Sequence, residues 1–421
     1  MKRTRIASAC LLLLLWPSVR LLGQTYRTFA DERNEIRSAA GFRLGPFKLV
    51  PALRLYDVGR DSNIYYRSGE DEIVADFTGL AAGELRAHSL LGPSLILTVT
   101  DSPEYLFYLK ERGLRAFTNS FSSGLRLLAL RRLSLSAEYH ARRHVRRPTS
   151  ELTRLVEDTV EGWEGGLFFE TARGTSLGLR GATDAFRYRD AETDVPDDPL
   201  ARALDRRGSF LRFEFYYRVF TESYLFVSAG PSWDEFRFPE SAWRNSRSFQ
   251  ARGGIRLPLL GRARGQVSLG WKSFMPESPE REPFSGLVSD SDIGVRIWRF
   301  NVKLGYARDN HYSFFETAYY YVEGRFRAGL SFYLTPFLRV DAEMRRSSLF
   351  YPEPQVLWRD GLPVTVVDRR DVLRVRSVGL VLRVAGRAGL GFSYNLYDRA
   401  SNVPGFDIDR DFVGASLTYD F

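Results

Sequence analysis

The chain has 421 residues, with 60 Lys plus Arg against 51 Asp plus Glu and a formal net charge of +9. That excess is too mild for a nucleic-acid partner, and no basic patch is interleaved with stacking aromatics. One cysteine, Cys10, excludes a disulfide framework and thiolate metal sites, and past the N-terminal region no stretch approaches the roughly 18 apolar residues of a membrane-crossing helix.

Lys2, Arg3 and Arg5 precede the apolar run Ala9 to Trp16, and Leu21-Leu22-Gly23 offers a small residue for cleavage, so residues 1–23 read as a secretory signal peptide. Cys10 lies inside the run and does not read as a lipid-attachment residue. Residues 24–46 carry mixed charge without alternation. They read as a periplasmic or lumen-associated segment, either a loosely ordered leader, the default for a terminus, or a helix tucked into the mouth of the following domain.

Residues 47–421 read as one β unit. The first strand signal is Phe47 to Tyr56, followed by Asp57 and the tetrad Asp61-Ser62-Asn63-Ile64. A strand with Pro51 and Leu53 running into this tetrad resembles the opening of the β-barrel porins associated with exopolysaccharide production and export. The resemblance covers about twenty residues. It implies a barrel and, as an expectation, a polysaccharide or export-complex partner.

Alternating segments follow at 71–84, 94–107, 114–128, 132–142, 159–171, 175–188, 207–220, 222–236, 246–257, 263–274, 284–297, 299–309, 315–332, 335–347, 371–384, 387–397 and 409–421. With the first strand this predicts about 18 strands, or 16 because the region 71–107 divides less cleanly. Every second connection is short, as at Leu91-Gly92-Pro93, Ala172-Arg173-Gly174-Thr175, Phe220-Thr221-Glu222-Ser223, Leu260-Gly261-Arg262, Leu334-Thr335-Pro336 and Ala385-Gly386-Arg387. Those between are mostly longer. Short turns on one side and long loops on the other are the arrangement of outer-membrane barrels, with the turns periplasmic.

Facing follows from the period of two. Leu211, Phe213, Phe215, Tyr217 and Val219 go to lipid and Arg212, Glu214, Tyr216 and Arg218 to the lumen. A charge on lipid costs about 2–4 kcal/mol near the midplane, so the same rule turns Arg252, Arg256, Arg299, Lys303, Arg325, Arg327, Arg339 and Arg345 inward. These ten cations form a candidate pore-lining wall that would favour anionic solutes or acidic saccharide. The competing reading pairs them with Glu214, Glu323, Asp341 and Glu343 in ladders that merely stiffen the wall.

Outside the wall, His140, Arg142, Arg143, His144, Arg146 and Arg147 are a candidate outer basic rim for lipopolysaccharide phosphates. Asp190, Glu192, Asp194, Asp197 and Asp198 lack calcium-loop spacing. Asp360-Gly361 marks a small hairpin within 348–370. His140 near Ser136 and Glu138, and His311 near Asp309 and Ser313, are the histidine neighbourhoods an enzyme would use, and sequence proximity supplies no triad. No catalytic residue, metal or cofactor is expected.

The chain ends on Val413, Ala415, Leu417, Tyr419 and Phe421, alternating with small or polar residues. This resembles the C-terminal sorting signal of bacterial outer-membrane β-barrels. It implies outer-membrane lipid, lipopolysaccharide and the barrel-assembly machinery as partners, and the outer membrane as the location. The expected fold is all-β, a single antiparallel transmembrane barrel. The expected function is a porin-like conduit with an arginine-rich lumen, or else a closed structural barrel partnering an envelope complex.

Overall fold

The computed structural model describes residues 28–39, 41–69, 72–152, 154–191, 199–220, 223–259, 263–315, 318–353, 355–359, 362–366, 368–384 and 387–420. The expected signal peptide at 1–23, Phe421, residues 192–198 with most of the acidic cluster, and the turns at 221–222, 260–262 and 385–386 lie outside them. No described helix is long and apolar enough to cross a membrane.

Nineteen strands form one sheet, of which the three-residue Phe42–Leu44 only pairs antiparallel with residues 47–49 at the start of the next strand, leaving a ring of eighteen. They are β1 (Phe47–Asp61), β2 (Asp76–Leu91), β3 (Leu95–Tyr108), β4 (Ala116–Ala129), β5 (Leu133–Arg146) and β6 (Val156–Glu170). Next come β7 (Ser176–Asp190), β8 (Arg206–Arg218), β9 (Tyr224–Phe236), β10 (Ser246–Leu259), β11 (Ala263–Pro276) and β12 (Phe284–Ile297). The last six are β13 (Phe300–Tyr312), β14 (Tyr320–Tyr333), β15 (Leu338–Phe350), β16 (Arg370–Val384), β17 (Ala388–Ser401) and β18 (Ile408–Asp420). Each pairs antiparallel with the next, and β18 pairs with β1 from Ala52↔Asp420 to Asp61↔Phe412, closing the ring. Closure leaves no strand edge unsatisfied, which a bilayer requires.

The first two strands depart most from expectation. β1 runs past Tyr56 to Asp61 because a bulge at Asp57, with φ of 51°, shifts the register between Leu55 and Val58. β2 occupies 76–91 rather than 71–84, since residues 62–69 lie over the barrel end and bury Ile64 beside Tyr108 and Leu114. At the seam, a Cβ on Gly59 would stand 1.9 Å from the Val413 carbonyl oxygen, so only glycine lets β18 approach. Gly59→Val is expected to lower the heat-unfolding midpoint of the folded barrel, read by gel mobility; an unchanged midpoint would show that the seam tolerates separation.

Outward positions are apolar along the strands, for example Leu211, Phe213, Leu304, Val378, Val413 and Leu417, all exposed. The end with short turns carries Phe169, Phe220, Trp298, Phe337 and Tyr419; the end with long loops carries Tyr105, Trp163, Trp233, Trp271, Tyr306 and Tyr394. Two aromatic belts bounding an apolar band are what a barrel in a bilayer presents.

At the turn end, Phe29–Ser38 form helix α1, capped by the Thr28 hydroxyl accepting from Asp31 N at 3.2 Å. Its buried Phe29 and Ile36 pack on the inward Ile96. Arg126 on β4 meets Glu32 at 2.6 Å and Glu170 at 3.0 Å, while Lys48 donates to the Ile36 and Arg37 carbonyls at 2.9 and 3.1 Å. A cation at a helix C-terminus and acids in its first turn suit the helix dipole. This stretch is therefore held against the inner wall rather than loose.

Candidate functional site: the lumen wall and the strap across it

Strand parity sends one set of side chains into the lumen, and most of its cations meet an acid. Arg325 pairs with Glu323 at 2.8 Å, Arg339 with Asp341 at 2.7 Å, and Arg327 and Arg345 share Glu343 at 2.7 and 3.3 Å. Arg252 and Lys272 share Asp309 at 3.1 and 2.9 Å. Arg180 on β7 lies 3.1 Å from Glu164 and 3.4 Å from Glu214.

Two features go beyond simple ladders. Arg327 stands directly across from Arg345, and Arg180 directly across from Arg212, as cross-strand partners. Like charges opposite one another destabilise a sheet unless something between them compensates. Arg212 and Lys303 have no ion-pair partner among the described residues, Arg212 having only the Phe210 ring 4.4 Å beneath its guanidinium.

Two predicted wall residues sit elsewhere. Arg299 lies in the exposed β12–β13 turn, donating to the Leu334 carbonyl at 3.3 Å, because the strand starts one residue later at Phe300. Arg218 is at the turn-end rim, donating to the Phe220 carbonyl at 3.3 Å. Arg256 holds its inward place opposite Tyr224 and Gln266. The sequence reading missed Arg180 and Lys272, although outward Leu177 and Leu179, and outward Leu269 and Trp271, put both on the inner face by the same alternation.

The loop after β5 is the second half of the site. Residues 147–152 leave the wall at β5 and meet the opposite side at the β13–β14 loop, β14 and β17. β14 is nine strands from β5, half the circumference of an eighteen-strand ring. Glu151, buried at 4% exposure, accepts from the Ser313 hydroxyl at 2.7 Å and from Phe314 N at 2.6 Å. Ser150 donates to Glu323 at 2.9 Å, and Arg399 donates to the Glu151 carbonyl at 3.1 Å. On the near side Arg147 lies 3.6 Å over the Tyr66 ring and donates to the Ile64 carbonyl. The segment is a strap over the lumen, and burial pushes the Glu151 carboxyl above the usual carboxylate range.

A packed layer backs the strap. Arg369, fully buried, has Phe406, Phe315 and Tyr351 rings at 4.1, 4.6 and 4.9 Å and meets Asp371 at 2.9 Å. Arg399 also bonds Asp371, as does the Ser401 hydroxyl at 2.6 Å. The tetrad that resembled exopolysaccharide porins is a corner of this layer: Asp61 takes a two-pronged bond from Arg410 at 2.8 and 2.7 Å, and Asn63 donates to the Asp409 carbonyl. The hairpin expected in 348–370 pairs Gln355–Arg359 with Leu362–Val366.

The basic rim does not form. His140, Arg142, His144 and Arg146 turn inward, because their parity is that of the lumen face: His140 meets Asp184 at 2.9 Å and Arg146 meets Asp158 at 2.8 Å. Arg143 faces out and pairs with Glu157 at 2.8 Å. Neither histidine neighbourhood assembles a nucleophile. His311 is 3.7 Å from Glu323, and Ser313 is turned to Glu151. The Ser120 hydroxyl lies 2.9 Å from His144 Nε2, yet His144 Nδ1 has no orienting partner among the described residues. Asp190 of the acidic cluster pairs with Arg154 at 2.8 Å.

No family model and no curated protein matches the chain. Solved structures match its fold. OccK9 (OpdG) of Pseudomonas aeruginosa is 14% identical over 91% of this chain and 100% of that one, with a TM-score of 0.50. OpdO of the same organism is 15% identical over 89% and 97%, TM-score 0.50. OpdK, solved with vanillate, is 11% identical over 90% and 99%, TM-score 0.50. The chain thus shares the barrel fold of the Occ outer-membrane channels.

Proposed function

We propose that the mature chain, freed of residues 1–23, is an outer-membrane channel for small anionic solutes, with its turn end periplasmic and its loop end outside. The observation that carries this is the pairing of like charges on the inner wall, Arg180 with Arg212 and Arg327 with Arg345, together with the cations Arg212 and Lys303. Glu343 offsets one of these pairs and Glu164 with Glu214 the other, while Arg212 and Lys303, with no ion-pair partner among the described residues, are left to a passing carboxylate or similar anion, which arginine forks bind in two-pronged fashion. The strap sets the aperture. Nothing in the similar structures supports polysaccharide as the cargo.

A second reading, a closed barrel that anchors an envelope complex, is favoured by the strap and by the buried layer of Arg244, Tyr319, Tyr321, Tyr351 and Arg369 behind it. Single-channel recording of the refolded chain in a planar bilayer separates the two. Steady conductance with a reversal potential on the anion side is expected, and a folded but silent barrel would leave the anchor. Changing Arg212 and Lys303 to Gln is expected to cut the anion preference by roughly half, more than changing Arg325, whose charge Glu323 already offsets.

A further inference from the structure

Arginines also face outward, and one group of them is gathered on neighbouring strands. On β15, Leu338, Val340, Ala342 and Met344 form the apolar band, and the next outward residue toward the loop end is the exposed Arg346. On β16 the band runs from Leu382 through Leu380 to Val378, and Arg376 and Arg374 follow it. On β13 Arg308 follows Leu304 and Tyr306. The four lie on three strands just beyond the exposed aromatics Tyr306 and Tyr394. That is the level of the headgroups in the leaflet on the loop side.

Their own protein neutralises them only in part. Arg346 and Arg374 are direct cross-strand partners, a repulsive arrangement on a sheet. Arg374 meets Asp398 at 2.9 Å and Arg376 reaches the same carboxylate at 4.0 Å, with side chains 41% and 59% exposed, so one acid serves two cations. Arg346 and Arg308 have no ion-pair partner among the described residues. The next outward groups along the ring are Asp409, opposite Asp398, and Asp411, opposite Leu396, which close off the β18 side to an anion. Gly324 separates Arg308 from Ser348 and leaves the surface between β13 and β15 low.

We infer that the outward patch Arg308, Arg346, Arg374 and Arg376 binds phosphate oxyanions carried on the headgroup of an outer-leaflet glycolipid. Guanidinium groups about two strand spacings apart, roughly 10 Å, suit a headgroup with more than one phosphate, each held by charge-assisted bonds. The lipid's acyl chains then lie along Met344, Val378 and Leu380, so a single ligand satisfies both the charged row and the apolar band beneath it. The assignment rests on placing the loop end outside, but its test does not need the channel to conduct.

The test places the refolded full chain in vesicles containing either diphosphorylated lipid A or its dephosphorylated form, and reads the heat-unfolding midpoint by gel mobility. Wild type is expected to unfold several degrees higher with the phosphorylated lipid. The Arg346→Gln, Arg374→Gln, Arg376→Gln triple variant is expected to lose more than half of that difference while migrating as a folded barrel below the midpoint. Inorganic phosphate added to uncharged vesicles is expected to give no rise. Equal midpoints in the two lipids, a triple variant that keeps the full difference, or the same rise from inorganic phosphate alone would each overturn the assignment. Lumen variants such as Arg212→Gln should keep the lipid effect whether or not the barrel conducts.

Discussion

Asp371→Ala is expected to cost about 3–5 kcal/mol of the loop-end layer's stability, the usual effect of removing one partner of a buried ion pair. Arg369, Asp371 and Arg399 have fully buried side chains, and Asp371 is the carboxylate that both guanidiniums share. Without it Arg369 keeps the faces of Phe315, Tyr351 and Phe406, but cation–π contacts worth about 1–2 kcal/mol do not offset the desolvation of a guanidinium. Early hydrogen exchange of residues 313–315 and 403–406, with the strands still protected, is the expected signature. Replacing all three residues by Met, Leu and Met should restore much of the loss, because a well-packed apolar triad is often as stable as a buried ionic one. Exchange unchanged in Asp371→Ala would mean that the layer does not rest on this cluster.

Glu151→Ala should release the strap and raise single-channel conductance several-fold. The substitution removes two bonds to a charged acceptor, from Ser313 and Phe314 N, each worth about 1.5–3 kcal/mol, so docking weakens by at least a hundredfold. The same residue carries a pH dependence. Its carboxyl is raised by burial in the docked state, so the docked strap binds its proton more tightly than the free strap does. Docking is therefore strongest below the ordinary carboxylate range and weakens as pH rises through the raised value. Conductance should climb with pH in wild type and stay flat in Glu151→Gln, which keeps the shape and loses the titration. A flat wild-type profile, or Glu151→Ala with unchanged conductance, would show that the strap does not set the aperture.

Some features of the barrel are legible locally and others are not. The alternation of Leu338, Val340, Ala342 and Met344 with Arg339, Asp341, Glu343 and Arg345 carries strand, register and facing at once, since a shift by one residue would put four charges on lipid. Arg299 shows the limit of that logic: parity was right, but the strand began at Phe300, and a turn residue has no face. The paired acids at 323, 341 and 343 are readable locally because each lies two residues from an arginine on the same face of its own strand. The opposition of Arg180 and Arg212 required the actual register.

Strand number, the short-turn and long-loop ends, and an arginine-bearing inner wall follow from period-two patterning and turn chemistry, which act between residues near one another in the chain. The strap, the Arg369 cluster and the seating of α1 do not. Phe29 N bonds Glu170 across 141 positions, Ser313 bonds Glu151 across 162, and Arg399 bonds the Glu151 carbonyl across 248. Such partners meet only after eighteen strands have closed into a ring and brought opposite walls face to face, so what occupies the lumen is a property of the closed barrel rather than of any segment in it.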